Sequence, residues 1–313
     1  MKSILVTGGT GSFGQALTKI ILEEHNPKVV RIFSRGEFLQ QQMNMKFNDK
    51  RLYFLIGDVR DESRLYRAMN GVGLVIHAAA LKQVPTCEYN PIEAVRTNIQ
   101  GAINVINAAI ENKVEKVIAI SSDKACQPVN LYGATKMIME KLLVQANAYG
   151  KTRFSCVRYG NVIGSRGSII PIFKEQAKTG TITITDKRMT RFWITLEQGV
   201  RFVLNCLDRM KGGEIFIPKI PSMRIIDLAE VIAPGVKQEV IGIRPGEKLT
   251  EILITKDEAR HTREFDNYFI IQPEFPFWTT DTGKQSPMDF EYRSDNNQWL
   301  DKETLSDYLQ QLP

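Results

Sequence analysis

The stretch SILVTGGTGSFG, residues 3–14, constrains the fold more than any other part of the chain. A short apolar run stops at glycines, and residues 15–24 then place Ala16, Leu17, Ile20 and Ile21 on one helical face. Strand, glycine loop and helix in that order predict the opening of a βαβ unit. Gly8, Gly11 and Gly14 allow a tight turn and let backbone approach a pyrophosphate at the positive end of the helix. Gly8, Thr10, Gly11, Ser12, Phe13 and Gly14 are therefore candidate dinucleotide contacts.

The pattern continues along the chain. Strands are expected at 28–33, 51–59, 73–79, 116–122 and 153–161, and helices at 61–70, about 91–112 and 132–149. Alternating strands and helices imply parallel strands joined by right-handed crossovers, so an α/β doubly wound sheet of Rossmann type. After Asn161 the rhythm loosens. Helices at 168–179, 196–210 and 225–233 mix with strands at 181–185, 214–217 and 237–243, and 263–297 is aromatic with little periodicity. The expected division is a nucleotide-binding domain over 1–165 plus about 190–217. A smaller mixed α/β substrate-binding cap takes about 166–189 and 218–313.

A strand-end carboxylate normally holds the ribose 2′-hydroxyl of NAD. Here the second strand ends Phe33-Ser34-Arg35, a hydroxyl and a guanidinium that suit a 2′-phosphate, so NADP is expected. In the alternative, Arg35 is solvated and Glu37 holds the ribose. Asp58, with Val59 beside it, ends the third strand and suits an adenine amino group, while Asp61 suits a helix N-cap. Ala78 and Ala79 are small enough to let a cofactor lie near the backbone, and His77 reads as a packing residue.

SSDKACQPVNLYGATK, residues 121–136, holds the candidate chemistry. Tyr132 and Lys136 lie one helical turn apart. A phenol titrates near ~10, and a neighbouring ammonium favours its phenolate, which can take a proton from a sugar hydroxyl. Ser122 can hydrogen-bond the same oxygen. Asp123 and Lys124 are surplus to a plain dehydrogenase; the alternative for them is a loop ion pair.

Charge and cysteines narrow the field. Net charge is +6, but basic residues are mixed with acids and form no stripe, so no nucleic acid is expected. No apolar run reaches the length of a membrane span, and the N-terminal run reads as a strand, not a signal peptide. Four scattered cysteines and three histidines show no ligand spacing, so no metal and a reduced cytoplasmic setting are expected. Cys126 lies in the central stretch, but a thiol nucleophile needs a base partner and no His is near it in sequence.

These blocks, together with HAAALK, VRYGNVIGSRGS, ITDKRMTRFWIT, GGEIFIPKIPSM and IGIRPGEKL, resemble the extended short-chain dehydrogenase/reductases. More narrowly, the chain resembles inverting UDP-N-acetylglucosamine 4,6-dehydratases, which open pseudaminic acid synthesis in bacteria that glycosylate flagellin. The resemblance runs over nearly the whole chain. It implies UDP-N-acetylglucosamine as partner substrate and a homo-oligomer, dimer or hexamer. In it, retaining relatives carry Asp-Glu where the inverting group carries Asp-Lys, as at Asp123 and Lys124. Ser122 replaces the usual Thr, and Gln83 and Thr250 stand where His is usual.

The implied chemistry begins with oxidation at C4, which makes C5–H acidic. Lys124, with a lowered pKa, removes that proton, and Asp123, with a raised pKa, protonates the departing C6 hydroxyl. For the diphosphate, Arg191 and Arg244 offer guanidinium forks. The resemblance assigns Arg244 and Glu247 to the nucleotide, Asn161 to the sugar-phosphate, and turns Lys82 toward the active site. Competing readings are an NADP-dependent sugar 4-epimerase or reductase using Tyr132 and Lys136 alone, and a non-catalytic cofactor-binding module.

Overall fold

In the computed structural model, residues 2–275 and 282–310 are described. The first half runs β1 (Ile4–Thr7), α1 (Ser12–Glu24), β2 (Val30–Ser34), α2 (Glu37–Phe47), β3 (Leu52–Ile56), α3 (Glu62–Met69) and β4 (Leu74–His77). It continues α4 (Val84–Tyr89), α5 (Pro91–Val95), α6 (Gly101–Glu111), β5 (Lys116–Ile120), α7 (Leu131–Ala146) and β6 (Arg153–Val157). Then follow β7 (Asn161–Ile163), α8 (Ile169–Ala177), β8 (Thr181–Ile184), β9 (Thr190–Thr195), α9 (Leu196–Arg209), β10 (Ile215–Pro218), β11 (Ser222–Arg224), α10 (Ile225–Ile232) and β12 (Lys237–Val240). The last elements are β13 (Ile252–Ile254), α11 (Lys256–Ala259), β14 (Thr262–Glu264), β15 (Tyr268–Ile271), β16 (Lys284–Gln285), β17 (Tyr292–Arg293) and α12 (Lys302–Gln310).

Ten strands form one sheet in the order β16-β14-β15-β10-β6-β5-β4-β1-β2-β3. The run from β3 to β10 is parallel. Strand order reverses between β1 and β4, and at such a switch point the carboxyl ends of the strands open a crevice for ligands. Ile4, Leu5, Val6, Val75, Ile76, Val117 and Ile118 are fully buried, as a sheet covered on both faces requires.

Several expectations change. α2 was not expected, because it buries only Gln40 and Met43 and so has no apolar stripe. The helix expected over 91–112 is α5, a π-turn at Arg96–Gln100, and α6. The strand expected over 153–161 ends at Val157, and β7 joins a separate three-stranded sheet, β11-β9-β7. Strands β14, β15 and β16, placed by the sequence in the cap, extend the main sheet antiparallel. Their pairing is long-range and leaves no periodic signal in short aromatic runs. Residues 276–281 and 311–313 of the expected cap lie outside the described residues.

A second apolar core holds α8, β8, α10 and α12 together around Phe173, Ile182, Leu228 and Leu305. β9 joins it to the main core. Phe192 and Ile194 face the main core, and Trp193 between them faces the second one. The period of two along a strand thus binds the two cores through a single element. Among the described residues no helix is long and apolar enough to cross a membrane.

Candidate active site

The residues singled out above as catalytic, cofactor-binding or substrate-binding line one cavity of about 840 Å³, except Glu37, the alternative ribose partner, which does not. It runs from the carboxyl ends of β1, β2 and β4 to the second core. The volume lies in the upper part of the range for ligand pockets.

The phosphate loop forms one end. Gly8 has φ +67°, and a Cβ there would sit 2.9 Å from the Ala78 carbonyl oxygen and the Ala79 backbone. A Cβ on Gly14 would overlap the Gly9 backbone. Glycine is thus required where β1, β4 and α1 converge. Gly11 caps α1 with no side-chain hydrogen bond, so the first N–H groups of the helix face the cavity without a competing cap. This cradle fits a pyrophosphate. Nearby, Ser34 Oγ accepts from Gln40 Nε2 at 3.0 Å. Arg35 is largely exposed, with Nη1 3.9 Å from Asp58 Oδ2, and Asp58 also receives Arg60. Burial opposes ionisation of Asp58, but those hydrogen bonds and charges hold its carboxyl below the usual range. Asp61 caps α3 by accepting from the Arg64 amide. His77 is buried against Thr7 Oγ1 at 2.8 Å, and burial lowers its pKa to about 3, so it is neutral.

The catalytic stretch is fixed by backbone contacts. Asn130 caps α7 by accepting from the Gly133 amide, and its Nδ2 donates to the Gly246 carbonyl, tying the helix start to the RPGEK loop. Gly133 is required because a Cβ would overlap the Lys124 carbonyl oxygen. That contact presses the Asp123–Ala125 turn onto the first turn of α7, beside Tyr132. The π-turn contributes Asn98, which bonds both backbone groups of Leu81 and the Thr135 hydroxyl, so it braces the loop after β4 against α7. π-turns recur at functional sites for such reasons.

Asp123 Oδ1 accepts from Ser122 Oγ at 2.9 Å and Lys124 Nζ at 3.1 Å. Asp123 Oδ2 is buried with no hydrogen-bond partner among the described residues. Burial, with the Glu251 charge, raises the Asp123 pKa, as an acid requires. Lys124 behaves differently from expectation. Burial alone would lower it, but the charges of Asp123 and Glu251, the latter 3.2 Å away, outweigh burial and raise its pKa. The Tyr132 phenol is pushed up to about 12 by burial, opposed by the Lys124 charge and the Ser122 hydroxyl. The cation that favours its phenolate is therefore Lys124. Lys136 Nζ instead donates to the Ile120 carbonyl at 2.7 Å, and burial lowers its pKa to about 8.

Sequence reasoning missed Glu251. It is buried and ion-paired with Lys124, with Arg191 Nε 3.7 Å away and Lys248 Nζ 3.8 Å away. It also missed Tyr159, buried on the cavity wall, and Arg158 behind it. The shortest contacts of Glu251 and Arg158, to Lys124, Glu140 and Glu258, lie far off in the chain, so no local pattern marked them. Arg244 is exposed, and its amide donates to Glu247 Oε2 at 3.4 Å. Lys82 is exposed and Asn161 half-buried at the same wall. Gln83 lines the cavity, whereas the Thr250 hydroxyl donates to Asp295. Cys126 is buried, with its thiol pushed up by burial. Among the described residues no cluster of His, Cys, Asp or Glu is placed to hold a metal ion.

A relative from Campylobacter jejuni, "UDP-N-acetylglucosamine 4,6-dehydratase (inverting)", is 52% identical, covering 98% of this chain and 97% of its own length. A Rickettsia felis relative called "UDP-glucose 4-epimerase" is 41% identical over 99% of this chain and 96% of its own. The X-ray structure of Pen from Bacillus thuringiensis superposes with a TM-score of 0.92 at 42% identity, over 99% of this chain and 97% of that one. The family model described as polysaccharide biosynthesis protein matches residues 4–273, and the chain belongs to that family.

Proposed function

We propose that this chain is a UDP-N-acetylglucosamine 4,6-dehydratase that inverts C5. Its product is UDP-2-acetamido-2,6-dideoxy-β-L-arabino-hex-4-ulose, formed with loss of one water. One observation carries the reading: Asp123 and Lys124 share a 3.1 Å hydrogen bond in the cavity that also holds Tyr132 and Lys136. The name and 52% identity of the Campylobacter jejuni relative support it. In that role the product enters pseudaminic acid synthesis for flagellin glycosylation.

Gly8, Gly11 and the N-terminus of α1 would hold the dinucleotide, which would supply a hydride acceptor for sugar C4 and a hydride donor for C6. Tyr132 takes the C4 hydroxyl proton as the ketone forms, with Ser122 donating to the same oxygen. The elimination needs a neutral amine and a protonated carboxyl. The resting pair is charged at Lys124, so the required forms arise by moving one proton along the 3.1 Å hydrogen bond from Nζ to Asp123. A single transfer makes the base and the acid together. Lys124 then takes the C5 proton, and Asp123 returns its proton to the C6 hydroxyl, which leaves as water. A proton adds to C5 from the opposite face, and the C4 ketone remains. Arg191 and Arg244 hold the diphosphate, Glu247 the ribose, and Asn161 and Lys82 the sugar-phosphate end.

We read the cofactor as NADP, because β2 ends in Ser34 and Arg35 without a carboxylate. Side-by-side titration tests it; tighter binding of NAD rejects it. The chain is further read as a homo-oligomer, dimer or hexamer, since Tyr89, Ile92 and Val95 on α4 and α5 and Met137 and Ile138 on α7 are exposed. Light scattering of a monomer at working concentration rejects that reading.

Product mass after incubation with UDP-N-acetylglucosamine tests the reaction. Loss of one water is expected, and Asp123→Asn lowers turnover about 10²- to 10⁴-fold. The relative named as a 4-epimerase favours a second reading that uses Tyr132 and Lys136 alone. An unchanged product mass selects that one.

A further inference from the structure

The segment GSRGS, residues 164–168, links β7 to α8 and crosses the cavity near its cofactor end. The Arg166 amide donates to Ser12 Oγ at 3.1 Å. Ser12 is the first residue of α1, directly after the phosphate loop. Its hydroxyl accepts from the strap, which leaves its own O–H to donate to an anion. Gly164 and Gly167, on either side of Arg166, have φ +76° and +69°. A Cβ on Gly167 would overlap the Gln83 amide, whose Nε2 points at the Gly167 carbonyl at 3.5 Å. The strap is thus pinned at the phosphate loop on one side and at the loop after β4 on the other. Glycines flank Arg166 because the chain must turn tightly at both points.

Of the other cations that line the cavity, Lys82 and Arg244 are assigned above to the sugar nucleotide, and three beside the reacting groups already have partners. Lys124 and Arg191 share Glu251, and Lys136 donates to the Ile120 carbonyl. Arg35 lies at the end of β2, beside Asp58. Arg166 is exposed at the cavity wall, and its guanidinium has no hydrogen bond or ion pair among the described residues. The helix terminus offers a pyrophosphate only partial positive charge. The Arg166 backbone is held one hydrogen bond away from that terminus, and its guanidinium supplies a full charge within reach, in fork geometry that matches phosphate oxygens.

We propose that Arg166 is a cofactor-binding residue that clasps the pyrophosphate of the dinucleotide together with the N-terminus of α1. This rests on the reading of the cavity as a nicotinamide dinucleotide site. Both can be tested by fluorescence titration of the full chain with NADP and, separately, with adenosine 2′-monophosphate, which lacks the pyrophosphate. Wild-type protein that fails to bind NADP refutes the site itself. If wild type binds, Arg166→Ala should weaken NADP by about 10- to 100-fold, the loss expected for a charge-assisted hydrogen-bonding partner. Its affinity for adenosine 2′-monophosphate and its urea midpoint should be unchanged. Arg166→Lys should recover part of the affinity by restoring charge without the fork. The inference is overturned if Arg166→Ala binds NADP like wild type. Equal weakening of both ligands overturns it too, as does a change confined to the KM for the sugar nucleotide.

Discussion

Replacing Arg158 with methionine should be among the most damaging single changes outside the cavity wall. Its guanidinium, 2% exposed, uses every nitrogen. Nε and Nη2 donate to Glu140 at 3.0 and 2.7 Å. Nη1 donates to the Leu253 carbonyl at 2.8 Å and to Glu258 at 3.1 Å, and Nη2 reaches Glu258 again at 2.9 Å. Glu140 lies on α7 one turn beyond Lys136, and Leu253 and Glu258 belong to the segment that follows Glu251. The arginine therefore clamps the helix of Tyr132 and Lys136 to the strand beside Glu251. Removing one partner of a buried ion pair costs about 3–5 kcal/mol, because the remaining charge stays desolvated. Here that charge is Glu140, whose side chain is 3% exposed; Glu258, at 27%, can recover solvent and adds little. The expected loss is thus about 3–5 kcal/mol, a large share of a typical stability of about 5–15 kcal/mol. Urea denaturation followed by circular dichroism measures it. The Arg158→Met, Glu140→Gln double variant should be more stable than the sum of the single losses allows, since it leaves no buried unpaired charge. A loss below about 1 kcal/mol, or strictly additive singles, refutes the reasoning.

Three further changes probe the Lys124 base, the buried histidine and the turn against α7. Glu251→Gln removes one of the two anions that hold Lys124 charged, with Arg191, Lys248 and Tyr132 the other titratable or charged neighbours; the acidic limb of the turnover profile should move to lower pH. An unmoved limb separates Glu251 from the base. His77, with its folded pKa lowered to about 3, refuses a proton that the unfolded chain accepts near ~6.5, so its contribution to stability falls as pH drops between those values. From pH 7 to 5.5 the linkage relation gives about 1 kcal/mol, and wild type should lose that much more than His77→Gln in urea melts; equal losses contradict it. Gly133→Ala drives a methyl group into the Lys124 carbonyl and should abolish turnover while NADP still binds at the phosphate loop; retained turnover shows that the turn can move.

The parts legible in the sequence were local ones. The phosphate loop and the Tyr132–Lys136 spacing lie within single turns, and parallel strands declare themselves by apolar runs separated by helices. Asp123 and Lys124 were visible as a pair but not their ionisation, because Glu251 lies more than a hundred residues away and reverses the effect of burial on Lys124. α2 stayed hidden because a helix that buries one glutamine and one methionine has no apolar period. The edge strands β14 to β16 stayed hidden because their partners are set by tertiary pairing in short aromatic segments.

In the proposed reaction Lys124 removes the C5 proton and a proton returns from the opposite face. Running it with UDP-N-acetylglucosamine in deuterated water and examining the product by proton NMR distinguishes these steps from any other route. One solvent deuterium at C5 and inverted configuration there are expected. Retained configuration, or a C5 position without solvent deuterium, contradicts the proposed reaction.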